Sequence, residues 1–363
     1  MIDPESSRRL KLLRFPPIVS ILYIHAYGTT ISFAGVTLGR ADTNALTDFI
    51  RVLISQCLAR IAVPIFFLLA GYLFFATFTW SPQAYLRKLN TRVRSLLLPF
   101  LFWNGVVLAM FLLSQAFPAI APYFPEGDAM VTQYHAGQFL SALLGLNRYP
   151  IAYHMWFIRD LMLLVLLAPV MVVALRFAAL PLLLVVYLCW LGDSWPVLAP
   201  GAVGFLFFAC GAFCALKGKS LFALDRFGPL ALLALLPIML ADSFWHSAWF
   251  NIYLHRTGLI IGVMATLYGT KWINRHQGVS QALITLGDAS FFVYAAHEPL
   301  LGIVRALAYQ YVPLDGPYTM LLLYLTIPML VVAVLLLLHR LLATLCPRAL
   351  YVITGGRLVR PAR

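Results

Sequence analysis

The stretch PYTMLLLYLTIPMLVVAVLLLLHRLLATL, residues 317–345, decides the fold class. It carries no Asp, Glu, Lys or Arg from Gly316 to His339. A hydrocarbon core of ~30 Å takes about 20 apolar residues per helix, so this segment is long enough to cross one. Reading back toward the N-terminus, comparable stretches recur at about 15–37, 50–78, 96–117, 151–176, 178–192, 200–216, 228–241, 250–273 and 281–308. The fifth and seventh are short. The whole chain agrees with its parts: 62 % of its 363 residues are apolar and 11 % charged, against roughly 45–50 % and about 25 % in soluble domains. So few polar residues cannot cover a soluble core of that size. The composition also excludes disordered, collagenous and disulfide-framework proteins. The expected fold is all-α, a polytopic membrane bundle of about ten transmembrane helices. Residues 1–345 form its membrane domain and 346–363 a basic cytoplasmic tail.

The net charge of +13 would suggest nucleic acid in a soluble protein. In a membrane protein it reports orientation, because cytoplasmic loops accumulate Lys and Arg. With ten spans and the N-terminus inside, 19 of the 26 basic residues fall on inside segments. Three (Arg40, Arg51, Arg148) fall outside, and four (Arg60, Arg159, Arg256, Arg305) lie within spans. This asymmetry places both termini inside. The basic N-terminus runs into a full-length span with no small-residue cleavage site, which reads as a first helix and not a leader. The longest outside loop, 118–150, is rich in Pro, Tyr and Phe and reads as a lid or substrate contact; within it His135–Leu146 reads as a short interfacial helix. Gly201, Gly204 and Gly211 predict close helix packing. Cys210 and Cys214 sit four apart on one face, and packing is the simpler reading than metal. No metal spacing, phosphate loop, dinucleotide fingerprint or nucleophile elbow is present.

The polar residues inside these spans are the informative ones, since a charge at bilayer depth is costly and normally faces the bundle interior. Arg14 and His25 are eleven residues apart. At 100° per residue that is about 20° beyond three full turns, so on one helix they share a face. The rise of ~16 Å reaches from the inner surface to about the midplane. A neutral imidazole there can take a proton from an attacking hydroxyl; it can equally be a hydrogen-bonded packing group. Arg60 lies on the second span, and His154, Arg159 and Asp160 on the fourth; Arg159 either locks to an acidic side chain or holds an anionic group. Tyr294, His297, Glu298 and Arg305 share the ninth span, where Tyr294 and Glu298 lie on one face and the seven-residue step from Glu298 to Arg305 suits a pair. His255 and Arg256 open the eighth. Arg87, Lys88, Arg92 and Arg94 are either a topology signal or a phosphate-binding patch.

Five segments in order carry a resemblance. LLRFPPIVSILYIHAYG (12–28), VPIFFLLAGYLFF (63–75), KLNTRVRSLLLPFLFWN (88–104), HMWFIRDLMLLVLLAPV (154–170) and LGDASFFVYAAHEPLL (286–301) together resemble the membrane acyltransferase-3 family, the bacterial integral-membrane O-acyltransferases, over about residues 10–345. The resemblance implies transfer of an acyl group, usually acetyl, from a coenzyme A thioester to a carbohydrate hydroxyl. It implies His25 as the essential base and Arg14 as its partner. Arg92, Arg94 and Lys88 fall in the family's basic motif, with Arg14 the implied contacts of acetyl-CoA; here the two Arg are one residue apart and not two. Arg60, His154, Arg159, Tyr294, His297 and Glu298 are the candidates for acceptor contact or oxyanion stabilisation. The implied partners are acyl-CoA, a carbohydrate or glycolipid acceptor and membrane lipid, with no metal and no nucleic acid. The implied location is the bacterial inner membrane, crossed many times. The rival reading is a proton-coupled transporter or a flippase for a lipid-linked solute, although no repeated halves or paired broken helices are visible.

Overall fold

The computed structural model describes residues 2–33, 36–76, 81–117, 131–147 and 149–356. Residues 118–130 of the expected loop 118–150 and the basic residues Arg148, Arg357, Arg360 and Arg363 therefore lie outside the described residues. The described residues are 80 % helical. Among the described residues the only sheet is a hairpin, Thr30–Phe33 against Val36–Gly39, antiparallel with Thr30 opposite Gly39.

Among the described residues, five helices are long and apolar enough to cross a membrane: Ala45–Ala76, Pro82–Ala116, Leu221–Phe244, Gln277–Tyr311 and Thr319–Leu345. A sixth span results if the pair Tyr153–Leu166 and Ala168–Phe177, bent by 63°, counts as one. Pro169 in the first turn of the second half lacks the N–H that would continue the first. Ala179–Leu191 and Ala202–Leu216 are apolar but shorter. Asn251–Arg275 has 25 residues but carries His255, Arg256, Lys271 and Arg275. The expected first span, 15–37, is a helix only over Pro16–His25. Its carbonyl end is followed by Gly28 and the β-branched run Thr29, Thr30 and Ile31, which turns into the hairpin. Arg14 sits in the bend between Pro4–Leu12 and Pro16–His25, next to Phe15, which as the residue before Pro16 is pushed away from helical geometry. The one-helix arithmetic linking Arg14 to His25 therefore does not hold as drawn.

Two long helices contain π turns, Val52–Leu58 and Val93–Leu97. Each is followed by a proline, Pro64 or Pro99, which deprives the carbonyl four residues back of its donor. The short helix expected at 135–146 is observed as Ala136–Leu144. His135 and Gln138 box its N-terminus, and Gly145 closes it in left-handed geometry at φ 68°.

The chain divides into two compact units. Unit one comprises Met1–Ile24, Val52–Arg92 and Asp160–Ser290. Its centre is the contact of Ala62–Ala76 with Ala202–Leu216, where two glycines face backbone reciprocally. A Cβ at Gly71 would stand 2.1 Å from the Phe208 carbonyl oxygen, and one at Gly211 would stand 2.1 Å from that of Leu68. Only glycine permits that approach, as the glycine spacing of 201–211 predicts. The N-terminal helix is anchored by Arg9, which is 4 % exposed. It donates to Asp225 at 2.7 and 3.0 Å, to Thr270 Oγ1 at 2.8 Å and to the Leu267 carbonyl at 2.9 Å, and it stacks 3.7 Å above the Phe222 ring.

Unit two comprises His25–Arg51, Val93–Arg159 and Phe291–Arg363. Here Asn104 accepts from the Ala152 N–H at 3.0 Å, and Trp103 Nε1 donates to the Ile353 carbonyl at 3.1 Å, docking the short helix Pro347–Ile353.

Candidate functional site

A cluster of imidazole, phenol and carboxylate groups occupies unit two. His25 is the last residue of its helix, so its position depends on how that end is fixed. The carbonyls there have no intrahelical donors. Arg305 supplies them: it donates to the carbonyls of Gly28, Thr30 (3.3 Å) and His25 (3.5 Å). Arg51 does the same for the Tyr27 carbonyl, with its guanidinium 4.6 Å above the Tyr27 ring and paired to Asp48 at 2.7 Å. A cation at the carbonyl end of a helix is favourable on its own account. The heptad spacing suggests that Arg305 pairs with Glu298; instead it holds the backbone that carries His25.

His25 Nδ1 lies 2.8 Å from the Tyr153 hydroxyl, which donates to Glu298 Oε1. His25 Nδ1 and Glu298 Oε1 are 3.6 Å apart. The hydroxyl proton goes to the carboxylate, so the phenol oxygen accepts from His25 Nδ1–H. In that tautomer the basic lone pair lies on Nε2. The arrangement has the logic of a carboxylate that orients a catalytic imidazole, with a tyrosine inserted between them. The side chains of His25 and Glu298 are 14 % and 19 % exposed, a setting where such bonds are stronger than in water.

Behind His25 stand two more imidazoles. The His297 ring centre is 5.1 Å from that of His25 and 5.1 Å from that of His154. His297 Nδ1 donates to the Tyr294 carbonyl at 2.6 Å, and His154 Nε2 donates to the Ala295 carbonyl at 3.1 Å. Pro299 explains the second bond: four residues after Ala295, it has no N–H to give that carbonyl. Tyr294 closes the ring by donating to the His154 carbonyl at 2.6 Å. Each imidazole has therefore spent its N–H on a carbonyl. The bare nitrogens, His297 Nε2 and His154 Nδ1, are buried without a hydrogen-bond partner. A buried acceptor without a donor is costly, and a hydroxyl or a water satisfies it.

Of the residues singled out from sequence, His25, His154, Tyr294, His297 and Glu298 come together here. Arg159 belongs to the same unit but donates to the Gly145 carbonyl at 2.9 Å, with its guanidinium 5.7 Å from the Tyr149 ring centre. Asp160, its neighbour in sequence, accepts from the Gly201 N–H at 2.8 Å. Lys88 donates to the Phe74 carbonyl at 2.6 Å, near the end of Ala62–Ala76, which makes it a helix cap. Arg92 lies 5.9 Å from the Phe74 ring centre, while Arg94 and Arg14 are exposed. The stem of Arg14 lies along Gly287. Arg60 belongs to unit one, where Gln56 Oε1 accepts from its Nη2 at 2.8 Å. Tyr153 is the member of the cluster that sequence reasoning missed; its only signal is its position directly before His154. Among the described residues, no group of three or more His, Cys, Asp or Glu side chains is placed to hold a metal.

Residues 8–339 match the profile of a family described as an acyltransferase domain. The chain is 28 % identical over 379 residues to the succinoglycan biosynthesis protein ExoH of Rhizobium meliloti (strain 1021), an alignment covering 98 % of this chain and 94 % of that protein. No solved structure matches it.

Proposed function

Because the chain belongs to the membrane acyltransferase-3 family, we propose that it transfers an acyl group, acetyl in the first instance, from acyl-CoA to a hydroxyl of a polysaccharide or its lipid-linked precursor, with His25 as general base. The observation that carries this reading is the chain of bonds from His25 through Tyr153 to Glu298. His25 Nε2 takes the acceptor hydroxyl proton while the oxygen forms its bond to the thioester carbon. The tetrahedral intermediate then collapses, the C–S bond breaks, and the imidazolium returns the proton to the leaving thiolate. Glu298 stabilises the imidazolium across 3.6 Å, and Tyr153 holds the ring so that the basic nitrogen faces the reaction. General-base action of this kind is worth about 10²–10⁴ in rate. The bare nitrogens of His154 and His297 suit the neighbouring hydroxyls of a sugar.

Arg14 and Arg92 are the proposed contacts for the donor phosphates, since guanidinium forks match phosphate oxygens. With Lys88 engaged as a cap, less of the donor affinity is assigned to it. The charge asymmetry of the loops supports a bacterial inner-membrane location with the donor bound from the cytoplasm.

The test uses detergent-purified protein, acetyl-CoA and its slow thioester hydrolysis in wild type and His25→Ala. The expected result is donor binding by both and hydrolysis by wild type alone. Turnover retained in His25→Ala overturns the base assignment. Folded protein that binds no acetyl-CoA overturns the acyl-CoA donor and returns the carrier reading.

A further inference from the structure

Unit one contains a separate cavity of about 410 Å³. It is formed by Gln56 and Arg60 of the helix Ala45–Ala76 and by residues 246–256, where Leu221–Phe244 connects to Asn251–Arg275. Three features distinguish it from a packing defect. First, none of its ten lining residues is acidic, while two are arginines and two histidines. Second, the two guanidinium groups are incompletely answered. The bonds of Arg60 go to the neutral amide of Gln56 at 2.8 and 3.2 Å, so its charge has no carboxylate against it. Arg256 reaches Asp193 with Nη2 at 2.6 Å, but its Nη1 is buried with no hydrogen-bond partner. Third, the buried carboxylate that contacts this wall, Asp242, is already used by Asn251 Nδ2 and His255 Nδ1, both at 2.8 Å. Asp242 thus holds the wall, while Arg60 faces no carboxylate and Arg256 keeps one N–H arm unused. A half-buried guanidinium charge without a counter-charge, as at Arg60, marks a place that an anion would complete.

We propose that this cavity binds an acidic saccharide, its carboxylate or phosphate held by Arg60 and Arg256 and a sugar ring lying against Trp249. Trp249 is 86 % exposed at the rim, and an indole offers a flat apolar face beside an N–H donor. Gln56, Ser247, Asn251 and His246 add the spread of neutral hydrogen-bonding groups that sugar hydroxyls require. A phospholipid headgroup would demand an apolar continuation for its tails, and the lining has only Ala248, Ile252 and Trp249 to offer. Naming the ligand a saccharide rests on the proposed acceptor class; the preference for an anion rests on the cavity alone.

The test is calorimetric titration of the purified full-length protein with trigalacturonate, with neutral maltotriose and with glycerol 1-phosphate as the lipid-headgroup probe. Trigalacturonate should bind about tenfold or more tightly than maltotriose at low ionic strength, with the difference shrinking as salt rises. Arg60→Gln and Arg256→Gln should each weaken it about tenfold, and Trp249→Ala severalfold. Arg256→Lys keeps the charge but not the fork and should recover only part of the loss. Equal affinity for the neutral trisaccharide, or unchanged affinity in folded Arg60→Gln and Arg256→Gln, overturns the proposal. So does glycerol 1-phosphate binding that trigalacturonate fails to displace, which would make the cavity a lipid site. His25→Ala should bind trigalacturonate as wild type does. Loss of the acyl-CoA reading with retained trigalacturonate binding therefore leaves this site standing.

Discussion

Arg9 in one unit and the His154–His297 pair in the other are equally buried, at 4 %, 3 % and 0 % exposure. Their polar atoms are treated in opposite ways. Arg9 donates four hydrogen bonds, two of them to a carboxylate, and stacks on an aromatic ring. Each histidine makes one bond to a carbonyl and leaves its other nitrogen bare. A residue that only holds helices together is satisfied completely, because any unmet group costs stability. Two neighbouring imidazoles left incomplete at that depth, beside His25, are completed by a hydroxyl or a water. For Arg9 and this pair, hydrogen-bond accounting draws a distinction that burial does not.

The largest effect should come from the incomplete site. His25→Ala should lower turnover by about 10²-fold or more, the share of a general base, with little change in thermal stability. A comparable fall in melting temperature would make His25 a packing residue and erase the contrast. The next effect should come from the complete site. Asp225→Ala strands the Arg9 charge and should cost about 3–5 kcal/mol of stability, while activity per folded molecule is kept. Thermal unfolding in detergent, read with activity at low temperature, checks both halves of that statement. Lost activity in protein that remains folded would join Arg9 to the functional side.

Tyr153→Phe sharpens the comparison inside the site. It removes one oxygen, the one that joins His25 to Glu298. We expect kcat to fall about tenfold to a hundredfold with the donor KM unchanged, because the change acts on a group engaged in the transition state. A rise in KM with kcat preserved would instead assign Tyr153 to substrate binding. Glu298→Gln keeps the shape, loses the charge and should fall in the same direction.

Much of this was legible in sequence, and the reasons differ from place to place. The long apolar helices follow from composition and length, and the glycines at 201–211 announce a close helix contact that Gly211 makes. His25, His154, Tyr294, His297 and Glu298 stand out because polar side chains are rare in apolar spans. What was not legible depends on contacts distant in sequence. Tyr153 is an ordinary interfacial tyrosine until the chain brings Glu298, 145 residues later, to its hydroxyl. Arg305 has a plausible partner seven residues away and prefers carbonyls some 280 residues back. The end of the first helix at His25 was hidden because the apolar pattern continues beyond it, although the helix does not.

The smallest and sharpest test is Pro299→Ala. In the helix Ser290–Tyr311 the proline leaves the Ala295 carbonyl without its usual donor, and His154 Nε2 takes that place at 3.1 Å. Alanine restores the N–H and competes for the same oxygen. Considered alone, the helix should gain stability, since an interior proline is unfavourable by about 3 kcal/mol. The imidazole of His154, however, loses the bond that fixes its tautomer and orientation. The expected outcome is a higher melting temperature with turnover reduced severalfold, the reverse of the Asp225→Ala result. Such a trade identifies a proline kept for the carbonyl it exposes. A gain in stability with no loss of turnover would show that the orientation of His154 is immaterial, and would narrow the site to His25, Tyr153 and Glu298.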